Sequence, residues 1–259
     1  MDVSFVVVNY HSRKFLEKCI FSIERHAADL NYEIIVVNND SRELAVNFHN
    51  RSRVKTLETS HNLGFGAACN RGAETAQGKI LAFLNPDVEI LGHLKSFLNH
   101  FRNDFQAGIA AGQLVDSRGN IQKWSAGVET GIWDIAKNNL GYPASRSVWE
   151  SLHPRKADWV SGAALFIKRE VFDILKGFDE NFFLYFEDMD ICLRARQKGY
   201  KILYNPVLKV KHWGGSSFEN RDRQKKEFYK SQDYYFRKHR GRFQEWLLKF
   251  LRWIILKGK

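Results

Sequence analysis

Three short runs of the chain are apolar at almost every position: VSFVVVNY at 3–10, YEIIVVNND at 32–40 and ILAFL at 80–84. A strand with one wet face alternates apolar and polar residues. Runs without that alternation fit parallel strands covered by helices on both sides. The segments between them supply the helices. In SRKFLEKCIFSIERH, Phe15, Leu16, Cys19, Ile20 and Ile23 share one helical face, and Ser12 is placed as the N-cap. A short strand is expected at Val54–Leu57. HNLGFGAACNRGAETAQGK then reads as a glycine-bearing loop and a helix from about Gly66 to a stop at Gly78. This alternation predicts an α/β chain with a doubly wound, mostly parallel sheet in its N-terminal half.

Beyond residue 90 the pattern loosens. A helix is expected over 92–103 and a strand in AGIAAGQLVD, followed by an irregular excursion or lid over 117–157 carrying Trp124, Trp133 and Trp149. After it come a strand in DWVSGAALFIK, a helix in REVFDILKG, an acidic helix starting near Glu187 or Asp188, and two closing strands, YKILY and VLKVKHW. With no internal repeat and no low-complexity linker, the chain reads as one domain over 1–220, with halves of about 1–115 and 116–220, plus a tail over 221–259.

Charge marks off that tail. Of the net +11, residues 221–259 hold 13 Lys+Arg against 4 Asp+Glu, which leaves the other 220 residues almost neutral. A basic tail on a neutral body points to an anionic surface as its partner. In FQEWLLKFLRWIILKGK, Phe243, Trp246, Leu247, Phe250 and Ile254 form one helical stripe. That stripe suits either core packing or an interfacial helix on anionic lipid, and the second is the expectation here. No run reaches the ~20 apolar residues of a membrane span, and the opening residues read as a strand and not as a leader. Cys19, Cys69 and Cys192 lack metal-site spacing and fit buried thiols in a reducing compartment.

Four features could carry chemistry. The strand at 80–84 ends in Asn85-Pro86-Asp87, where proline cannot continue a ladder and a carboxylate is left at a strand end, the usual place for ligands in open α/β sheets. FFLYFEDMD sets Glu187, Asp188 and Asp190 against an aromatic wall, although acids are also favoured in a helix's first turn. His212 ends a strand and precedes Gly214-Gly215, whose amides allow close approach to an anion. The glycines of HNLGFGAACNRG have the wrong spacing for a dinucleotide fingerprint.

Taken in order, VVVNYHSRKFLEKCIFSI, EIIVVNNDS, HNLGFGAACNRG, LAFLNPDVEI, WVSGAALFIKREVF, GFDENFFLYFEDMDICLRARQKGYKILYNP and HWGGSS resemble the family 2 glycosyltransferases, specifically their rhamnosyltransferase-like branch, over about residues 3–240. The resemblance implies a GT-A fold and an inverting transfer from a nucleoside diphosphate sugar, dTDP-rhamnose being the best single donor, to a glycan or lipid-linked acceptor in bacterial cell-surface polysaccharide synthesis. It implies donor contacts from Val8, Asn9, Tyr10, Asn38, Asp40, Asn62, Gly66, Asn70, Arg71, Asn85 and Asp87. Acceptor contacts are implied for Trp159, Gly162, Tyr185 and Glu187. Asp87 and His212 would hold Mg²⁺ or Mn²⁺, and Asp188 would be the catalytic base. The chain departs from the family's pattern in carrying Asn38 and Asn85 where acids are usual.

The implied chemistry suits these residues. A cation held by a carboxylate neutralises charge on a leaving diphosphate, and a second carboxylate takes the acceptor's proton. A nucleotidyltransferase is the rival enzyme, but it wants a basic glycine-rich phosphate loop that VVVNYHSRK lacks. A silent glycan- or nucleic-acid-binding module is the rival outside enzymes. The expected place of work is the cytoplasmic face of a membrane, with no nucleic acid involved.

Overall fold

The computed structural model of the chain describes residues 1–39, 48, 51–129, 131, 144–214 and 221–257. Asp40, Trp133 and Gly215 lie outside the described residues.

The parallel half forms as the apolar runs predict. Strand β1 (Val3–Asn9) pairs in parallel with β2 (Tyr32–Asn38) and β4 (Ile80–Leu84), and β2 pairs in parallel with β3 (Val54–Glu58). Helix α1 (Arg13–His26) and helix α3 (Leu94–Asn103) cover one face, where Val3, Phe5 and Val7 meet Leu16, Ile20, Phe97 and Phe101. Helix α2 (Phe65–Thr75) covers the other, where Val6 and Val8 meet Ala68, Cys69 and Ala73. Successive β1 residues thus point into two different cores, so polar alternation would leave an unpaired group buried on one side. All three cysteines are free and buried.

Two local expectations change. Ser12 stands at the N-cap of α1, but its hydroxyl donates to the Tyr10 carbonyl and makes no cap bond. Helix α2 ends at Thr75, before Gly78. A Cβ at Gly78 would collide with the backbone of Ser4, and its N–H instead bonds the Ser4 hydroxyl at 2.7 Å. That glycine serves close chain approach and not helix termination.

The C-terminal half adds mixed strands, giving the order β3-β2-β1-β4-β10-β6-β11-β5, with β8 also on β11. Strand β5 (Val88–Gly92) was not expected. The chain leaves β4 at Asn85-Pro86-Asp87 and pairs antiparallel with the last strand, at the far edge of the sheet. Strand β6 (Ala107–Val115) is as expected, whereas DWVSGAALFIK divides. β9 (Trp159–Val160) pairs with β7 (Ala126–Gly127), and β10 (Ala164–Lys168) inserts antiparallel between β4 and β6. The two closing strands are one, β11 (Lys201–His212). Its ladder to β6 breaks between Tyr204 and Lys209, around Pro206, which has no N–H to donate. At that break β11 exchanges its other neighbour, from β8 (Arg155–Ala157) to β5. Short helices α4 (Arg146–Trp149) and α5 (Arg169–Ile174) precede α6 (Glu187–Gln197).

The basic tail is two helices, α7 (Arg221–Arg240) and α8 (Arg242–Lys257). Helix α7 is built into the body. Tyr235 and Phe236 are buried in a cluster with Phe182, Leu193 and Leu248. Lys238 and His239 both bond the fully buried carboxylate of Asp190, at 2.6 and 2.7 Å, alongside Arg194 at 2.7 Å. Helix α8 lies on α7, with Arg252 bonded to Asp233 at 2.6 Å. The outer face of α8 keeps the expected stripe largely bare: Phe243, Trp246, Phe250, Trp253 and Ile254 are exposed, and the four rings stack in sequence along the helix.

Candidate active site

Three strand ends meet at one cavity of about 200 Å³. Parallel pairing of β1 with β4 brings Val8 and Tyr10 beside Asn85 and Pro86. Antiparallel pairing of β11 with β5 sets His212 opposite Val88 and therefore next to Asp87. Asn39, Asn62, Gly64 and Phe65 close one wall; Phe183, Leu184, Tyr185 and Gln224 close another.

At the Asp87 end, His212 Nδ1 lies 2.8 Å from the Gln122 amide oxygen. An oxygen acceptor there takes the Nδ1 proton, and in the neutral ring Nε2 then carries the lone pair. Nε2 faces Asn85 Nδ2 at 3.4 Å and Asp87 Oδ1 at 3.5 Å. Asp87 is only 4% exposed. One oxygen and one nitrogen at this spacing fit a divalent cation that takes its other positions from phosphate oxygens and water, the habit of Mg²⁺ at phosphate substrates. Among the described residues no group of three or more His, Cys, Asp or Glu side chains forms a closed metal site.

The opposite wall is a hydrogen-bonded knot. Asn39 Nδ2 donates to Asn62 Oδ1 at 3.0 Å, and the Leu63 and Gly64 amides bond the Asn39 and Asn62 oxygens at 2.9 Å each. Gly64 has φ +86°, and a Cβ there would strike the Phe183 carbonyl. Only glycine lets the 59–64 loop close on the 183–185 segment. Asn9 and Asn38 lie behind this wall: Asn9 donates to Asn38 at 3.1 Å and Asn38 to Glu58 at 2.7 Å. The amide found where the family has an acid is thus tied to an acid on the neighbouring strand.

Several sequence-predicted residues stand elsewhere. Gly66 packs under Phe178 and the Glu187 side chain, within α2. Asn70 holds the backbone of Phe178 from both sides, its Nδ2 donating at 3.0 Å and its Oδ1 accepting at 2.9 Å. Arg71 is exposed, 3.4 Å from Glu74. Trp159 is buried and donates to the Val128 carbonyl at 3.0 Å. The packing of α2 accounts for the first three: Gly66 is covered by Phe178 and Glu187, and Asn70 and Arg71 do not line the cavity. β7–β9 pairing explains the fourth.

Asp188 sits in the first turn of α6, outside the cavity lining and three residues beyond Tyr185. Its Oδ2 accepts the Gly162 N–H and its Oδ1 the Met189 N–H, both at 2.8 Å. A Cβ on Gly162 would lie 3.6 Å from that Oδ2. The adjoining Ala163 carbonyl accepts the Asn85 N–H at 3.0 Å, so one short segment ties Asp188 to the strand end bearing Asp87. Burial raises the Asp188 pKa and outweighs the N–H bonds that would lower it. Glu187 is pushed well above the carboxylate range, by burial first and then by the charge of Asp188. A buried oxygen of Glu187 has no hydrogen-bond partner. Tyr185 and Phe186, with φ of 68° and 67°, occupy the left-handed region that side chains disfavour, immediately before these acids.

Residues 4–159 match the family described as Glycosyl transferase family 2, more than half of the chain. The chain belongs to glycosyl transferase family 2. Relatives of this glycosyltransferase include N-acetylglucosaminyl-diphospho-decaprenol L-rhamnosyltransferase of Mycobacterium tuberculosis, 27% identical over 80% of this chain and 74% of that protein. Rhamnosyltransferase WbbL of Escherichia coli K12 is 24% identical over 82% of this chain and 83% of its own. A Sinorhizobium fredii protein, y4gI, is 27% identical over 85% of this chain, which spans only 25% of it. Among solved structures, Staphylococcus aureus TarS 1–349 superposes with TM-score 0.62 at 15% identity, covering 90% of this chain and 64% of TarS. GalNAc-T7 with UDP, GalNAc and Mn²⁺ superposes with TM-score 0.61 at 18% identity, covering 83% and 44%. The family 2 chain therefore has the GT-A architecture, and it spans less than two thirds of those solved chains.

Sequence reasoning missed Gly64, Gln122 and Gln224. Gly64 was visible as one of two close glycines, and only the true start of α2 separates them. Gln122 reaches His212 because its N–H pairs with the Leu114 carbonyl at 2.9 Å, a register within a segment read as irregular. Gln224 lies in the tail and had no signal.

Proposed function

We propose that this family 2 glycosyltransferase transfers one sugar, with inversion, from a pyrimidine nucleoside diphosphate sugar to a lipid-linked glycan. dTDP-rhamnose is the leading donor. The observation that carries the reading is the Asp87–His212 pair at one end of a cavity whose other wall is the Asn39–Asn62–Gly64 knot. That layout suits a diphosphate at the acidic end and a nucleoside against the knot. When bound between Asp87 and His212, Mg²⁺ or Mn²⁺ would neutralise charge on the departing diphosphate. Asn85, on the same cavity wall with its Nδ2 3.4 Å from His212 Nε2, would stand beside that diphosphate. Asp188, its pKa raised by burial, takes the proton of the acceptor hydroxyl as that oxygen attacks the anomeric carbon and the glycosyl–phosphate bond breaks. A single displacement of this kind inverts the anomeric centre. The names of the mycobacterial and E. coli relatives support rhamnose as the sugar, and the former supports a polyprenyl diphosphate acceptor.

No described helix is long and apolar enough to cross a membrane. The bare aromatic ridge of α8 and the net charge of the tail suit docking on an anionic bilayer at its cytoplasmic face, where a lipid-linked acceptor would be presented.

A thermal-shift panel of dTDP- and UDP-sugars, with and without Mn²⁺, tests the reading, since a ligand of the native state raises the melting point. At least one nucleotide sugar should stabilise the chain more with Mn²⁺ than without it, and Asp87→Ala should remove the difference. If no nucleotide sugar shifts the melting point, the reading is wrong.

A further inference from the structure

Resting on the nucleotide-sugar reading above, we infer that helix α7 is a wall of the donor site, and that Gln224 sets Tyr185 to donate a hydrogen bond to the bound nucleoside diphosphate sugar. Neither residue lies within the stretch 4–159 matched to the family. Both line the cavity that holds Asp87, Asn85 and His212.

Gln224 Nε2 donates to the Tyr185 hydroxyl at 2.6 Å. A phenol has one proton to give, and accepting from Gln224 leaves that proton to be given elsewhere. Among the described residues no acceptor receives it. Burial, with the charge of Glu187, raises the pKa of Tyr185 against the opposing pull of Gln224, which keeps the proton on the oxygen. The phenol is thereby a one-way donor, suited to a phosphate or hydroxyl oxygen. The cavity is small, so a group on its wall meets whatever fills it, and the residues around it are those that suit the donor.

Helix α7 also fixes where this phenol stands. The Ser231 hydroxyl donates to the Leu184 carbonyl at 2.7 Å. Phe228 packs against both Tyr185 and Phe186, at ring separations of 5.7 and 5.3 Å, and Tyr235 packs against Phe186 at 5.5 Å. These contacts grip the two left-handed residues, a conformation that surrounding structure must impose. Gln224 is a positioning residue and Tyr185 the group that touches the donor.

A double-mutant cycle on donor binding tests this, with no acceptor present. The probes are dTDP-rhamnose and UDP-N-acetylglucosamine, each titrated calorimetrically with Mn²⁺ into the full chain. Tyr185→Phe and Gln224→Leu should each weaken the nucleotide sugar that binds the wild type by about five- to tenfold, the scale of one hydrogen bond. The double variant should be no weaker than Tyr185→Phe alone, because the amide acts through the phenol. Melting points within a degree or so of wild type would exclude a folding effect, and Gln224→Met, of equal length, repeats the test if leucine disturbs α7. Unchanged donor affinity in Gln224→Leu and Gln224→Met, or losses that simply multiply, would overturn the inference while leaving the nucleotide-sugar reading intact. A wild-type chain that binds neither probe would overturn both.

Discussion

Three acids within four residues, Glu187, Asp188 and Asp190, show how neighbours of similar chemistry are given different work. Asp188 bonds two backbone amides, Glu187 bonds no side chain and has its pKa pushed up by burial, and Asp190 is surrounded by cations. For Asp190 burial opposes the charge, but His239, Arg194 and Lys238 outweigh it and hold the carboxyl below its ordinary range. Asp188→Asn is therefore expected to lower transfer by about 10²–10⁴-fold with donor affinity retained, as measured by initial rates and calorimetry. Glu187→Gln should behave differently. A carboxyl that holds its proton more tightly folded than unfolded loses stability for the native state as pH climbs from the ordinary carboxylate range toward its raised pKa. Replacing it by the neutral amide removes that loss, so the variant should melt higher than wild type near neutral pH and converge with it in acid. His212 offers a separate test. Gln122→Leu removes the acceptor that fixes its tautomer, and Mn²⁺ affinity, read by electron paramagnetic resonance of the free ion, should fall about tenfold.

At the scale of elements, the interest lies in how α7 and α8 divide the basic tail. Helix α7 faces inward. Its Lys238 and Tyr234 bond Asp179, at 2.6 and 3.0 Å, and Lys238, the two Asn181 hydrogen bonds and Tyr234 together overcome the burial that would raise that carboxyl, lowering its pKa to about 2. A depressed pKa gives stability that is present above the unfolded value, near 3.9, and is lost as pH falls through the folded one. Wild type should therefore lose melting temperature faster than Asp179→Asn between about pH 4 and pH 2. Helix α8 holds to α7 by Leu248, Lys249 and Arg252 and turns its aromatic ridge outward. Replacing Trp246 and Phe250 by serine touches that outer face. The variant should melt like wild type but no longer float with anionic liposomes; equal flotation would sink the membrane assignment.

For the whole molecule, the site depends on segments far apart in the chain: the end of β1, the β4–β5 bend, the loop before α2, the start of α6, the end of β11 and the N-terminal part of α7. Cutting after residue 220 would uncover Phe182 and Leu193 and leave Asp190 with Arg194 alone. Losing two of the three cations around that carboxylate together with the cover of an apolar cluster removes a large share of a domain's stability. That fragment should not show a cooperative melt by circular dichroism, whereas a chain cut after Arg240 should keep one at lower temperature. The parallel half was legible because its residues carry their environment with them. Phe5, Val6, Val7 and Val8 are apolar in succession only because both faces of β1 are covered, and proline at 86 marks a strand end through local geometry alone. Asp87, Asn85 and His212 were legible for the same reason, each sitting where a strand must stop. The rest was decided by pairing between distant segments. The register of β11 on β5 brings His212 to Asp87, that of Gln122 on Leu114 brings an amide to His212, and the packing of α7 brings Gln224 to Tyr185. Local propensity encodes where an element begins and ends; which side chains meet depends on long-range registers, and these emerge only when the whole core is packed at once.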